Sequence, residues 1–348
     1  MSLPTTILVL GGAGAQTSFV VRELAKSEAW KVRLLTRNPQ AEEAASLATL
    51  PRVQIIEGDC YDESTLFSAF RGIDACFVNT NGFAIGEKSE IFWGIRMYEI
   101  AHWAGVKHFI YSALPFVSKK GNFDPKYRVP FVDGKAKVVE FLRAQTTDQM
   151  IWSVLESGPY AEHFLLNQFV PKEDSTGEFV FRIPIGPSGS MPLVSLSDLA
   201  WFARYMFENP SEFKAELLSV GIEHATGQRI AGAFSAVTGK KARYEPLPVE
   251  ELKSQLSQST KIGLAGSPGY DDPTLKTVQE MFLPWWGIWT ESHGNIGLWT
   301  RDYGRLDRIK PGRLRTVEQW MSSVGYHENM EPQNVLKSGS RTSSRFEE

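Results

Sequence analysis

Hydrophobic positions in the first half of the chain fall into short, nearly unbroken blocks. Thr5–Leu10, Lys31–Thr36, Val53–Gly58, Ala75–Asn79, His108–Tyr111 and Ile151–Leu155 are each of strand length. Between them lie Phe19–Leu24, Ala41–Ala48, Ser64–Phe70, Lys88–Ala104 and Phe131–Arg143, which read as helices. Strands that alternate with helices predict right-handed crossovers and an α/β fold, a doubly wound parallel sheet of the Rossmann type.

After Leu155 the pattern changes. Ser157-Gly158-Pro159 breaks the chain, and Tyr160–Phe169 resumes as a short helix. A glycine- and proline-rich stretch, Ile183–Pro192, follows. Helices are then expected at Ser197–Glu208, Gln228–Thr238 and Thr316–Val324, and strands at Glu216–Val220 and Ala242–Leu247. The organisation expected is a nucleotide-binding domain over 1–157, a smaller C-terminal α/β cap over 158–330 that is partly intertwined with the sheet, and a polar, disordered tail over 331–348.

Composition narrows the class of partner. The 348 residues are 42% hydrophobic and 22% charged, with a net charge of −3. That balance gives no electrostatic case for nucleic acid or an anionic membrane surface. No apolar run approaches the roughly 20 residues a membrane span needs, and the N-terminus lacks a basic, cleavable leader. Cys60 and Cys76 are the two cysteines, and both are expected in core elements. A reduced, cytoplasmic setting follows. The unusual count is ten tryptophans.

The first strand runs directly into Gly11-Gly12-Ala13-Gly14-Ala15-Gln16-Thr17 and then a helix. A helix N-terminus aims free N–H groups and partial positive charge at a pyrophosphate, and the glycines allow close approach. Gly11, Gly14, Ala15 and Gln16 are therefore expected to hold a dinucleotide. Thr17 stands where a third glycine would permit close helix packing. After the second strand the chain reads Thr36-Arg37-Asn38, with no carboxylate to hold a ribose 2′-hydroxyl. A guanidinium suits a 2′-phosphate, so the cofactor expected is NADP(H). Asp59 and Cys60 follow the third strand, where Asp59 either meets the adenine amine or caps the next helix. Asn79 and Thr80 close the fourth strand at the edge where ligands collect.

The segment Phe131–Leu142 places Lys135 on the same face as Phe131, Val138, Val139 and Leu142, whereas Lys137 points outward. A lysine on an apolar stripe requires a partner. At this point the chain resembles a known group. GGAGAQT after the first strand, TRN after the second, GD after the third and SGPYAEHF after the sixth are similar to the NmrA-like family. That family is an atypical branch of the short-chain dehydrogenases/reductases. The resemblance implies a Rossmann sheet with a small cap, NADP(H) binding that extends to Pro159, and either reductases of fungal natural-product pathways or non-catalytic redox sensors.

Short-chain dehydrogenases use a tyrosine one helical turn before a lysine, with a serine nearby. The resemblance assigns Lys135 to the lysine and Ser112 to the serine, where Ser112 either polarises a carbonyl or bonds the backbone. The tyrosine position is Phe131, which has no proton to give. Tyr127, Asp133, Tyr160 and His163 are the replacement donors within reach; Tyr127 and Tyr160 join Lys135 and Ser112 as catalytic candidates. Phe131, His163, Trp286 and Trp289 are expected to line a substrate pocket, because Met281–Trp289 reads as an aromatic lid, a core strand or a protein interface. No metal cluster is expected.

Two functions follow. One is an NADP(H)-dependent oxidoreductase that acts on a bulky aromatic metabolite of alkaloid type. Hydride would pass to an imine, iminium or carbonyl, with redox-mediated cyclisation as a variant. The other is a redox sensor that regulates a protein partner. The chain would be a monomer or a homodimer.

Overall fold

The apolar blocks become six strands of one sheet: β1 (Thr5–Leu10), β2 (Trp30–Thr36), β3 (Val53–Glu57), β4 (Ala75–Val78), β5 (His108–Ala113) and β6 (Ile151–Glu156). The structure, a computed structural model, describes residues 5–165, 169–259, 261, 272–328 and 330. A seventh strand, β10 (Leu217–Ser219), joins at the edge, so the order is β10-β6-β5-β4-β1-β2-β3, all parallel. Every residue of β4 and β5 is buried, as a parallel sheet covered on both faces requires. The strand order reverses between β1 and β4, which opens a crevice at their carboxyl ends.

Helices α1 (Ala15–Leu24), α2 (Glu42–Ala48), α3 (Glu63–Ala69), α4 (Gly82–Trp103), α5 (Val117–Lys120) and α6 (Pro130–Arg143) connect these strands. Helix α4 starts six residues before the expected Lys88, because Asn81 caps it through Ala84 N–H. The backbone leaves helical geometry at Gly86, so the sequence pattern registers only the longer second part.

The second half contributes β7 (Lys172–Glu173), β8 (Phe179–Ile183), β9 (Ser190–Pro192), β10 (Leu217–Ser219), β11 (His224–Thr226) and β12 (Ala242–Pro246). Strands β12, β8 and β7 form one small sheet, and β11 with β9 another. Its helices are α7 (Leu196–Glu208), α8 (Gly227–Thr238), α9 (Val249–Gln255), α10 (Val278–Thr290), α11 (Tyr303–Ile309) and α12 (Val317–Ser323). Helix α7 packs on α1 beneath the main sheet.

Three expectations need correction. The segment after Pro159 is a 3-10 turn, Ala161–Leu165, and residues 166–168 of the expected helix lie outside the described residues. The Trp-rich segment is not a strand but helix α10, started by a Thr277–Glu280 capping box. Cys60 lies half-buried after β3, although Cys76 is fully buried in β4. The tail over 331–348 also lies outside the described residues.

Candidate nucleotide and substrate site

At the end of β1 the chain turns through Gly11 at φ 127°. A Cβ there would stand 2.7 Å from the Asn79 carbonyl oxygen and 2.9 Å from Thr17 Cγ2, so only glycine fits between β1, β4 and α1. Thr17, in place of a third glycine, is fully buried, and its hydroxyl donates to the Gly12 carbonyl at 2.6 Å. Helix α1 begins with Gly14 as its N-cap. No side chain caps it, and no acid lies in its first turn. Its N–H groups and dipole are left facing an anion site.

Thr36 and Arg37 lie beside this turn; a Cβ on Gly12 would be 3.7 Å from Thr36 Oγ1. Arg37 is exposed and has no ion pair among the described residues. Asp59 accepts from Tyr61 N–H at 2.9 Å, while α3 is capped by Asp62, which accepts from Thr65 N–H at 2.7 Å. The expectation that Asp59 caps the helix is thus corrected. Burial, foremost, pushes the Cys60 thiol up to about 12, and Asp59 adds to this against Arg37.

Lys135 reaches the end of β4. Its ammonium bonds the Thr80 carbonyl at 2.6 Å, Asn79 Oδ1 at 3.1 Å and Thr80 Oγ1 at 3.2 Å. A fourth partner is Glu90, whose carboxylate lies 3.2 Å away and is completely buried. Thr80 Oγ1 joins Glu90 at 2.8 Å and Tyr111 Oη at 2.9 Å. Room for Glu90 comes from two glycines: Cβ atoms on Gly82 and Gly134 would stand 2.3 Å and 2.8 Å from Glu90 Oε2. That oxygen has no hydrogen-bond partner among the described residues. The sequence reading missed Glu90, yet its signal matched that of Lys135. It shares a helical face with Trp93, Gly94 and Met97, which are buried.

Ser112 bonds neither backbone nor open space. It exchanges hydrogen bonds with Gln16 at 2.7 Å and 3.0 Å, and the Tyr160 hydroxyl donates to Gln16 Oε1 at 3.3 Å. Burial raises the Tyr160 phenol to about 12 and lowers His163 to about 4. Tyr160 stacks on His163 at 6.0 Å; Phe169 lies 5.7 Å from His163 and 5.7 Å from Trp286. Pro159 accepts from Val194 N–H at 2.9 Å. Below it the buried Arg301, also missed, donates to Ser157 and Val220 carbonyls at 2.6 Å and 2.7 Å. Tyr127 belongs to a different group, because its hydroxyl donates to Glu291 at 2.5 Å and clamps the loop to the end of α10. Asp133 is buried and bound by Ser118 at 2.5 Å and Arg128 at 2.8 Å.

An aromatic wall stands one helical turn from Lys135. Phe131 stacks on Phe83 at 4.3 Å and contacts Trp285 at 5.1 Å and Phe282 at 6.3 Å. Phe83 is 40% exposed at the start of α4, next to Thr80, so this wall has an open face. The fully buried Trp289 and Trp299 back it, packed on Trp285 at 4.8 Å and 5.8 Å. The tryptophan on the wall itself is therefore Trp285, with the expected Trp289 behind it and Trp286 on the Phe169 side.

A parallel sheet with a glycine turn, an uncapped helix N-terminus at its switch point and a half-buried lysine beside it define a Rossmann-type nucleotide-binding protein. Residues 4–282 match the NmrA-like family, and the chain belongs to that family. An NmrA-like family domain-containing protein of Dictyostelium discoideum is 32% identical over 71% of this chain and 82% of its own length. The NmrA-like family domain-containing oxidoreductase hkm9 of Aspergillus hancockii is 30% identical over 69% and 75%. Among solved structures, the negative transcriptional regulator NmrA in complex with NADP superposes with a TM-score of 0.71 at 17% identity, covering 97% of this chain and 98% of that one. No helix among the described residues is long and apolar enough to cross a membrane.

Proposed function

We propose that the protein is an NADP(H)-dependent oxidoreductase that acts on a bulky, flat aromatic metabolite. The observation that carries this reading is the placement of Lys135 and the Phe83–Phe131–Trp285 wall within one helical turn, at the carboxyl end of β4. The residues fit the cofactor. Gly11 lets β1 turn tightly against Asn79 and Thr17 at the crevice, α1 offers uncompensated N–H groups, and Arg37, without an ion pair among the described residues, is a guanidinium suited to a 2′-phosphate. Relatives named as oxidoreductases, several of them fungal, support the reaction class.

NADPH, when bound, supplies a hydride. Lys135 orients the nicotinamide ribose, and the aromatic wall holds a flat electrophile whose reacting carbon belongs to an imine, iminium or carbonyl. Cyclisation that returns the hydride is an extension of the same binding mode. Phe131 withholds the usual proton donor. That same absence favours a second reading, a redox sensor that binds NADP(H) without turnover.

Calorimetry with NADPH and NADP⁺, followed by NADPH oxidation in the presence of polycyclic aromatic electrophiles, separates the two. Substrate-dependent loss of reduced-nicotinamide absorbance is expected. Unequal affinities for the two cofactors with no turnover of any electrophile would establish the sensor instead. Within the first reading, Arg37→Asp should weaken NADPH at least tenfold and leave NADH within twofold, since a charge-assisted phosphate contact is worth about 1.5–3 kcal/mol. Equal losses for both nucleotides would remove Arg37 from the 2′-phosphate.

A further inference from the structure

The reading of this pocket as an aromatic-substrate site leaves open which electrophile it takes, and the inference here rests on that reading. From the Glu90–Lys135 pair and the aromatic wall beside it, we infer that the pocket selects a flat, positively charged aromatic ligand, such as an iminium, and that Glu90 sets this preference.

Three observations carry it. First, the ammonium beside the aromatic wall is already compensated. Glu90 lies 3.2 Å from Lys135, completely buried, so the pair presents no net charge. A lone buried ammonium would repel a cation strongly in such surroundings. Second, the carboxylate is under-used. Glu90 Oε2, enclosed where Gly82 and Gly134 leave space, has no hydrogen-bond partner among the described residues. With Lys135 and Thr80 as its partners, the carboxylate keeps the charge that offsets the ammonium. Third, the wall is made of π faces: Phe83, Phe131, Phe282 and Trp285 contact one another at 4.3 to 6.3 Å. Aromatic faces attract cations.

The alternative, a neutral carbonyl, needs a donor for the oxyanion formed on reduction. None stands ready. Phe131 has no hydroxyl, Ser112 is tied to Gln16, and the Lys135 N–H groups are taken by Asn79, Thr80 and Glu90. Hydride addition to a cation has no such need. One C–H bond forms on the acceptor, the cation becomes a neutral product, NADPH is oxidised to NADP⁺, and no proton moves.

The test is equilibrium binding to the complex with 1,4,5,6-tetrahydro-NADP, whose nicotinamide ring is uncharged and gives no hydride. N-Methylacridinium, a flat three-ring iminium, is compared with uncharged acridine at mildly alkaline pH by ligand fluorescence. The wild type is expected to bind the cation at least tenfold more tightly. Glu90→Gln is expected to cut that ratio at least fivefold, with every protein measured at saturating nucleotide. A double variant, Glu90→Gln with Lys135→Met, removes both charges, and its ratio should return towards the wild-type value. It also serves if the single variant does not fold. A ratio unchanged in Glu90→Gln, or a double variant that discriminates worse than the single one, overturns the inference. Equal wild-type binding of both ligands overturns charge selection but leaves the aromatic pocket standing. Binding of neither overturns the pocket reading as well.

Discussion

Replacing Gly11 with alanine is expected to lower NADPH affinity by at least a hundredfold. The Cβ would lie 2.7 Å from the backbone oxygen of Asn79, just past β4, and 2.9 Å from a buried methyl of α1. Neither neighbour yields easily, because Asn79 O belongs to the sheet edge and Thr17 is held by Gly12 and Gly14 carbonyls. The backbone angle of 127° adds strain of order 1–3 kcal/mol for a residue with a side chain. Moving β1 away from β4 separates the α1 N-terminus from Lys135, so one substitution disturbs both ends of the nucleotide site. A hundredfold loss is about 2.7 kcal/mol. Gly105→Ala is the control. It also has positive φ, at 79°, but its Cβ would meet nothing, and it lies after α4, away from the crevice. Titration of both variants with NADPH, alongside thermal melts, checks this. If Gly105→Ala weakened the nucleotide as much as Gly11→Ala, the effect would be one of stability and the glycine turn would not be the phosphate site.

How far the fold was legible depends on local signals. The six strands of the first half appear within two residues of their expected ends, because a strand buried on both faces needs an uninterrupted apolar run. The seventh is only three residues long, Leu217–Ser219, and its alignment with β6 is a long-range fact. Helix α10 was obscured for the opposite reason. Apolar residues surround it on every side and Pro284 sits inside it, so it shows no polar face by which periodicity could identify a helix. In the site, Lys135 was found because one charge interrupts an apolar stripe. Glu90 interrupts another, and the pairing emerges only once α4 and α6 lie side by side. Gln16 was expected at the cofactor through its place in the glycine turn. Its bonds to Ser112 and Tyr160 join three elements far apart in sequence, which no spacing reports.

The second large effect concerns Glu162, in the 3-10 turn next to His163. Its Oε1 accepts from Leu196 N–H at 3.0 Å and Trp320 Nε1 at 3.4 Å, which ties the turn to the first residue of α7 and to α12. Its Oε2 has no partner among the described residues. Burial, foremost, raises this carboxyl to about 7, and Asp198 adds to it. A carboxylic acid whose folded pKa exceeds its unfolded value holds its proton longer in the native state. The stability it contributes is therefore fully present below about 4.5 and is lost as pH rises to about 7. At 1.36 kcal/mol per pH unit the loss amounts to roughly 3 kcal/mol. Glu162→Gln keeps the accepting oxygen and removes the titration, at a cost of about 1 kcal/mol for an amide N–H left unpaired at Oε2. The variant should be less stable than wild type at pH 4.5 and more stable by about 2 kcal/mol at pH 8. Urea unfolding at both pH values measures the difference directly. Other groups cancel in the comparison, including His163, which burial keeps neutral down to about 4. Curves that stay parallel across the range would mean that Glu162 is ionised in the folded protein and that a counter-charge or water compensates Oε2.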